Sequence, residues 1–153
     1  MDKSLGVEFS YADESWAPQM EPMWRGGLRK NFHLDDGFSI VAHIGKHLVG
    51  FISACWRELP APLDGTKEAF IDFIGISPDY RRQGAARRLV QMAVERAKSG
   101  GACQLRAWSS ADKIEAIPMW KSLGFGLCPA DPRDEGGKGY YVALPLRGGG
   151  YKD

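Results

Sequence analysis

The sequence predicts a mixed α/β fold with a largely antiparallel N-terminal half, and three observations carry that expectation. Two β-rich runs, Phe38 to His43 and Leu48 to Trp56, flank Ile44-Gly45-Lys46-His47. Gly45 can take the positive φ required at the first central position of a two-residue turn, so the segment reads as an antiparallel hairpin. An apolar, β-branched and aromatic run over 69–76 then leads into an amphipathic helix over 84–99. Ala86, Leu89, Val90, Ala93 and Ala97 share one face of that helix, with Arg87, Gln91, Glu95 and Lys98 opposite. Finally, the later strands and helices alternate, but the hairpin denies the strict alternation of a doubly wound parallel sheet.

The other elements follow from local pattern. Val7 to Tyr11 alternates with period two and reads as a first strand. Trp16, Met20, Met23, Trp24 and Leu28 recur at near-helical spacing, but Pro18, Pro22, Gly26 and Gly27 divide the segment into two short helices. Pro60 to Lys67 is a turn-rich loop, Gly100-Gly101 stops the main helix, and Cys103 to Trp108 is a further strand. A helix over about 113–123 has two alternative starts. Asp112 with Glu115 fits a capping box but places Pro118 in the helix interior, whereas a later start puts Pro118 harmlessly in the first turn. A polar loop over 129–137 precedes a final strand over 138–144, and Gly148-Gly149-Gly150 opens a tail expected to be mobile. The expected organisation is one domain over 1–147 followed by the tail 148–153, without repeats or a linker.

Composition narrows the function classes. The 153 residues are 44% hydrophobic and 25% charged, as in soluble globular proteins, and the formal net charge is +1. Nucleic-acid and anionic-membrane partners are therefore not expected. No stretch reaches the roughly 18 apolar residues of a membrane span, and no apolar signal core follows Met1. Cys55, Cys103 and Cys128 form neither a disulfide framework nor a C-x-x-C pair, which fits a reducing cytoplasm.

Chemistry concentrates in Phe73 to Arg87. An apolar strand ends at Ser77-Pro78, and a helix opens at Gly84-Ala85-Ala86 just after Arg81-Arg82-Gln83. The first N–H groups of a helix lack intrahelical acceptors, and the helix dipole makes that end electropositive. Small side chains let phosphates approach those N–H groups, while the arginines supply charge and forked donors. The segment reads as a pyrophosphate site. Two alternatives are a solvated basic turn and a nucleic-acid helix, the latter disfavoured by the near-neutral net charge.

This segment resembles the acyl-CoA signature of the GNAT superfamily, the general-control-related N-acetyltransferases. Arg81-Arg82-Gln83-Gly84-Ala85-Ala86 matches its pattern of Gln or Arg, two residues, Gly, one residue, then Gly or Ala. Met119-Trp120-Lys121-Ser122-Leu123-Gly124-Phe125 matches the downstream aromatic and Gly-Phe signature, and the order of elements agrees from residue 6 to residue 146. The resemblance implies a central twisted sheet split between the strands at 69–76 and 103–108, with acetyl-CoA as co-substrate. Pantetheine would lie along the backbone of Ile74, Gly75 and Ile76, and the pyrophosphate over Arg81, Arg82, Gln83, Gly84, Ala85 and Ala86. An amine would attack the acetyl group directly in a ternary complex.

The sequence departs from the family at Trp120, where members often carry a tyrosine proposed to protonate the leaving thiolate. An indole N–H donates a hydrogen bond but has no useful acidity. A thiol pKa of about 8.5 makes CoA thiolate a tolerable leaving group without an acid. Tyr140 and Tyr141 are candidate substitutes, and Lys113 stands where the family often has asparagine. The attacking amine, with a pKa of about 10.4 if lysine-like, must lose a proton. Asp72, inside an apolar strand and on the face of Ile74 and Ile76, is the candidate base. The structural alternatives for Asp72 are an ion pair with a residue such as Arg106, or exposure.

His33, His43 and His47 lack shared-helix metal spacing, so no metal site is expected. Cys55 with His43 or His47 suggests a thiol hydrolase only weakly, because no nucleophile turn flanks the cysteine. Trp16, Met20, Met23 and Trp24 read as core first and as part of an acceptor pocket second. Functionally, an N-acetyltransferase stands against a non-catalytic acyl-CoA-binding or sensor module. The acceptor, small molecule or peptide N-terminus, is not encoded in any motif, and neither is the oligomeric state, for which a homodimer is one option.

Overall fold

The structure, a computed structural model, describes residues 6–23, 31–130 and 138–146. Its elements run β1 (Glu8–Tyr11), α1 (Ala17–Met23), β2 (Gly37–Ile44), β3 (His47–Glu58), β4 (Lys67–Ile76), α2 (Ala85–Ser99), β5 (Gln104–Ser110), α3 (Ile117–Ser122), β6 (Gly126–Pro129) and β7 (Gly139–Pro145). The strands form one seven-stranded sheet in the order β1-β2-β3-β4-β5-β7-β6. β4 and β5 pair in parallel; β1 with β2, β2 with β3, β5 with β7 and β6 with β7 pair antiparallel. The mixed, mostly antiparallel α/β class expected from the sequence is the class observed.

The chain clusters into two compact units. The first comprises residues 1–55 and 72–95. Its hairpin turns where expected: Gly45 has φ +57°, and Ile44 pairs with His47 across the two-residue connection. Met20, Val41, Leu48 and Phe51 form its buried cluster, against which Trp16, Phe32 and Phe73 pack. The rings of Phe51 and Phe73 stack with centroids 4.6 Å apart. Trp16 and Met20 therefore serve the core reading.

The second unit comprises residues 56–71 and 96–153. Leu105, Val142, Trp120 and Phe125 are buried in it, with Trp120 and Phe125 edge to face at 4.9 Å. The helix near 113–123 takes the later of its two starts. A 3-10 turn over Ile114–Ala116 precedes α3, and Pro118 sits in the first turn, where its missing N–H costs nothing. β6 was not anticipated: its four residues are mostly exposed and carry no alternating apolar pattern. Trp24, the Gly26-Gly27 break, most of the 129–137 loop and the 148–153 tail lie outside the described residues. Among the described residues no helix is long and apolar enough to cross a membrane.

Candidate acyl-coenzyme site

The turn between β4 and α2 has the geometry of an anion cradle. β4 ends at Ile76, a 3-10 turn spans Pro78–Tyr80, and α2 opens at Ala85. Two residues between them have positive φ, Arg82 at +62° and Gly84 at +85°. Left-handed residues in such a turn direct successive backbone N–H groups to one side, the arrangement of an anion-binding nest. A Cβ on Gly84 would meet no atom within 4 Å, so glycine is required there by its φ and not by crowding. That open space lies at the mouth of a 15-residue helix.

The polar groups around the turn have mixed commitments. Arg81 donates from Nε to the Ile76 carbonyl at 2.9 Å, tying the turn to the end of β4, and Arg82 is exposed. Ser77 Oγ and Gln83 Oε1 are buried without a hydrogen-bond partner among the described residues. Buried polar atoms are rarely left unpaired, so two orphans beside an open cradle fit a site that completes itself with a ligand. A hollow of about 230 Å³ lined by Tyr80, Gln83, Gly84 and Ala85 also touches Val7 and Phe9. It is too small for a whole coenzyme.

Asp72 lies four residues before Ile76 on the same face of β4, with its side chain 22% exposed. A close hydrogen bond joins its Oδ2 to Nε2 of His33, whose side chain is 10% exposed. The other ring nitrogen, Nδ1, lies 2.9 Å from Oδ2 of the exposed Asp36. A neutral imidazole donates to one of these carboxylates; only the doubly protonated ring donates to both. His33, Cys55 and Asp72 also bring one ligand-type atom each within 4.8 Å of one another.

The structure corrects the partner foreseen for Asp72. Arg106 does not pair with it but forks onto Glu68, with Nε to Oε1 and NH2 to Oε2 each at 2.8 Å. Arg106 is in register with Phe70, two residues along β4 from Glu68, and the bidentate fit to Glu68 takes it. Glu68 is 1% exposed and also accepts from Gln104 at 2.8 Å. Burial opposes its ionisation, but the hydrogen bonds from Arg106 and Gln104 and the guanidinium charge outweigh burial and hold the carboxyl below its ordinary 4.5. Arg106 is in turn held charged, chiefly by its hydrogen bonds to Glu68.

Arg106→Ala should therefore destabilise the protein by about 3 kcal/mol, because it strands a buried carboxylate. Urea unfolding at neutral pH measures this. The sign of the pH effect follows from the lowered Glu68 pKa: its contribution is complete well above 4.5 and is lost as pH falls through the folded-state value. The gap between parent and Arg106→Ala should accordingly narrow in acid.

The other sequence candidates are placed as follows. Trp120 is buried at 3% exposure, with Nε1 unpartnered among the described residues, and it packs as a core ring. Tyr140 donates its hydroxyl to the Lys113 carbonyl at 2.7 Å, and the Tyr141 ring centroid lies 5.0 Å from the Arg106 guanidinium carbon. His43 bonds Ser10 and the Gly45 carbonyl, each at 2.8 Å, so the histidine that accompanies Cys55 is His33 instead. Sequence reasoning missed His33, Asp36 and Glu68. Glu68 bore the same signal as Asp72, a charge inside an apolar strand, whereas His33 and Asp36 carried only an unremarkable three-residue spacing.

Comparison with known proteins gives this geometry a family. A model described as the Acetyltransferase (GNAT) family matches residues 6–125. An uncharacterised N-acetyltransferase of Methanocaldococcus jannaschii is 33% identical over 91 residues, 60% of this chain and 39% of that protein, so the match spans about two fifths of the relative's length. Among solved structures, the ribosomal-protein-S18-alanine N-acetyltransferase of Escherichia coli is similar with a TM-score of 0.68 and 18% identity, over 96% of this chain and 99% of its own. Arabidopsis thaliana NAA60 in complex with acetyl-CoA has a TM-score of 0.71 and 16% identity over 93% and 99% of the two chains. A putative streptothricin acetyltransferase of Bacillus anthracis, in complex with acetyl coenzyme A, has a TM-score of 0.71 and 12% identity over 92% and 99%. At these identities the solved structures establish the fold, and the family model covering most of the chain establishes the lineage: this protein belongs to the GNAT acetyltransferase family.

Proposed function

We propose that the protein is an acetyl-CoA-dependent N-acetyltransferase in which an acceptor amine attacks the acetyl group directly. The observation that carries this reading is the turn at the start of α2, where left-handed Arg82 and Gly84 leave open space at the N-terminal, electropositive end of the helix. Gly84, Ala85 and Ala86 would hold the pyrophosphate through backbone N–H groups, with Arg81, Arg82 and Gln83 at its rim. Ile74, Gly75 and Ile76 would offer backbone to the pantetheine arm. Bound there, acetyl-CoA supplies an activated acyl group on a thiol leaving group. The M. jannaschii relative's name and the acetyl-CoA complexes of the structural neighbours support the reading.

The chain's own chemistry centres on Asp72. Its carboxylate takes the proton of the acceptor ammonium, directly or through a water, and the hydrogen bond to His33 fixes the carboxylate's orientation. No side chain is assigned as the acid. The departing thiolate needs little help, Trp120 has no acidic proton, and Tyr140 is engaged with Lys113. The acceptor is a small-molecule amine or a peptide N-terminus, a choice supported by neighbours named for streptothricin and for ribosomal-protein-S18 alanine. Cys55, Cys103 and Cys128, outside any disulfide, agree with a reducing, cytoplasmic setting.

The buried tryptophan at the family's tyrosine position favours a second reading, an acyl-CoA sensor without turnover. Both readings require that acetyl-CoA raise the melting temperature. At about 100 times its Kd a ligand adds about 2.7 kcal/mol, which is roughly 5–10 °C for a chain of this size. Adenine nucleotides without pantetheine should add much less. No shift at millimolar acetyl-CoA rejects both. A screen of amines with thiol-release detection separates them, since a sensor releases no CoA with any acceptor.

A further inference from the structure

We propose that His33, Cys55 and Asp72 form a binding site for a zinc-class divalent cation, and that its occupancy silences the acetyltransferase. The site was invisible to a search for histidine spacing, because it joins one imidazole to a thiol and a carboxylate from separate elements. His33 follows α1, Cys55 lies near the end of β3, and Asp72 is in the middle of β4. All three belong to the same compact unit.

Three features support a metal site. The donor atoms lie within 4.8 Å of one another. Zinc bonds of about 2.0–2.3 Å at tetrahedral angles place donors roughly 3.2–3.7 Å apart, so closure needs only a small separation of Asp72 from His33 and an approach by Cys55. The donor set of imidazole nitrogen, thiolate sulfur and carboxylate oxygen suits zinc or cobalt and does not suit magnesium or calcium. Most specifically, Asp36 stands behind His33 with Oδ2 2.9 Å from Nδ1. With a metal in place of the His33–Asp72 hydrogen bond, Asp36 would accept the Nδ1 proton and leave the Nε2 lone pair for the cation, the outer-shell arrangement that orients metal-bound histidines. His33 is buried while Cys55 and Asp72 are partly exposed, so the centre is both shaped and accessible. Three protein ligands leave the fourth tetrahedral position for water.

Binding releases the Cys55 thiol proton to solvent; a proton on His33 Nε2 gives way to the metal, moving to Nδ1 beside Asp36 in the neutral ring or leaving to solvent from the doubly protonated one. The cation then occupies the Asp72 oxygen needed to deprotonate the acceptor. This inhibitory consequence rests on the base role of Asp72 proposed above; the site itself does not.

Titration of the metal-free protein with Co²⁺, without coenzyme or amine, tests the site through absorption. A thiolate-to-cobalt charge-transfer band and the visible bands of a tetrahedral centre should saturate at one equivalent per chain. They should persist in the Cys103→Ser/Cys128→Ser double variant and disappear in Cys55→Ser. Asp36→Asn, an exposed change that does not endanger folding, should keep the bands but weaken affinity about 10–100-fold. Absence of the bands, their survival in Cys55→Ser, or their loss in the double variant would overturn the site. Inhibition is read with Zn²⁺ by quantifying the acetylated amine, since free CoA thiol itself captures zinc. Bands without inhibition would leave the site standing and remove Asp72 from the chemistry.

Discussion

Asp72→Asn is expected to lower the rate at neutral pH by about 10²–10⁴-fold, the usual worth of general-base assistance, while acetyl-CoA affinity survives. Asparagine matches the size of aspartate and can still accept the His33 hydrogen bond through Oδ1, but it cannot take up the amine's proton. Raising the pH supplies free amine without help from the protein, so the variant should regain part of its deficit in alkaline buffer. A structural carboxylate would behave otherwise, losing melting temperature and showing no recovery with pH. The structure sharpens this contrast. Arg106 is engaged by Glu68, while Asp72 is hydrogen-bonded to His33 with its side chain partly exposed. Initial rates across pH, with melting curves for both proteins, decide the matter. An unchanged rate at normal stability assigns deprotonation to water.

Gly84→Glu should abolish measurable coenzyme binding, and Gly84→Ala shows how much of that is strain. At φ +85° any side chain carries the left-handed penalty of about 1–2 kcal/mol. The Cβ itself meets nothing within 4 Å, so alanine should cost that amount in stability and leave the cradle open. Glutamate adds a negative charge and bulk where the pyrophosphate would approach in the proposed complex. Losing two charge-assisted hydrogen bonds at about 1.5–3 kcal/mol each corresponds to roughly 10²–10⁴-fold in Kd. Ala86→Glu should behave alike without the backbone strain, and Arg82→Ala should weaken binding a few-fold to a hundred-fold. Calorimetric titration with CoA gives each Kd. Normal binding in both glutamate variants would move the phosphates away from α2.

What the sequence determined by itself was written in near neighbours. The hairpin follows from Gly45 between two β-rich runs, α2 from five small or apolar residues at helical spacing, and the cradle from Arg, Gly and Ala packed between a proline turn and a helix. Each depends on backbone preferences within a few residues; the hairpin and α2 appear where expected, and the turn before α2 carries the positive φ of Arg82 and Gly84. β6 escaped because a short, exposed edge strand leaves no periodic burial to read. The tertiary structure decided which charges meet. Asp72 and Glu68 are two carboxylates on one strand face, alike in sequence, yet one meets His33 from 39 residues away and the other Arg106 from 38. Their difference in burial, and the company Cys55 keeps with His33 instead of His43, follow from strand register and from where the chain returns after α1. Interactions between distant residues carry no local signature, because their energy is gained only once the intervening chain has folded.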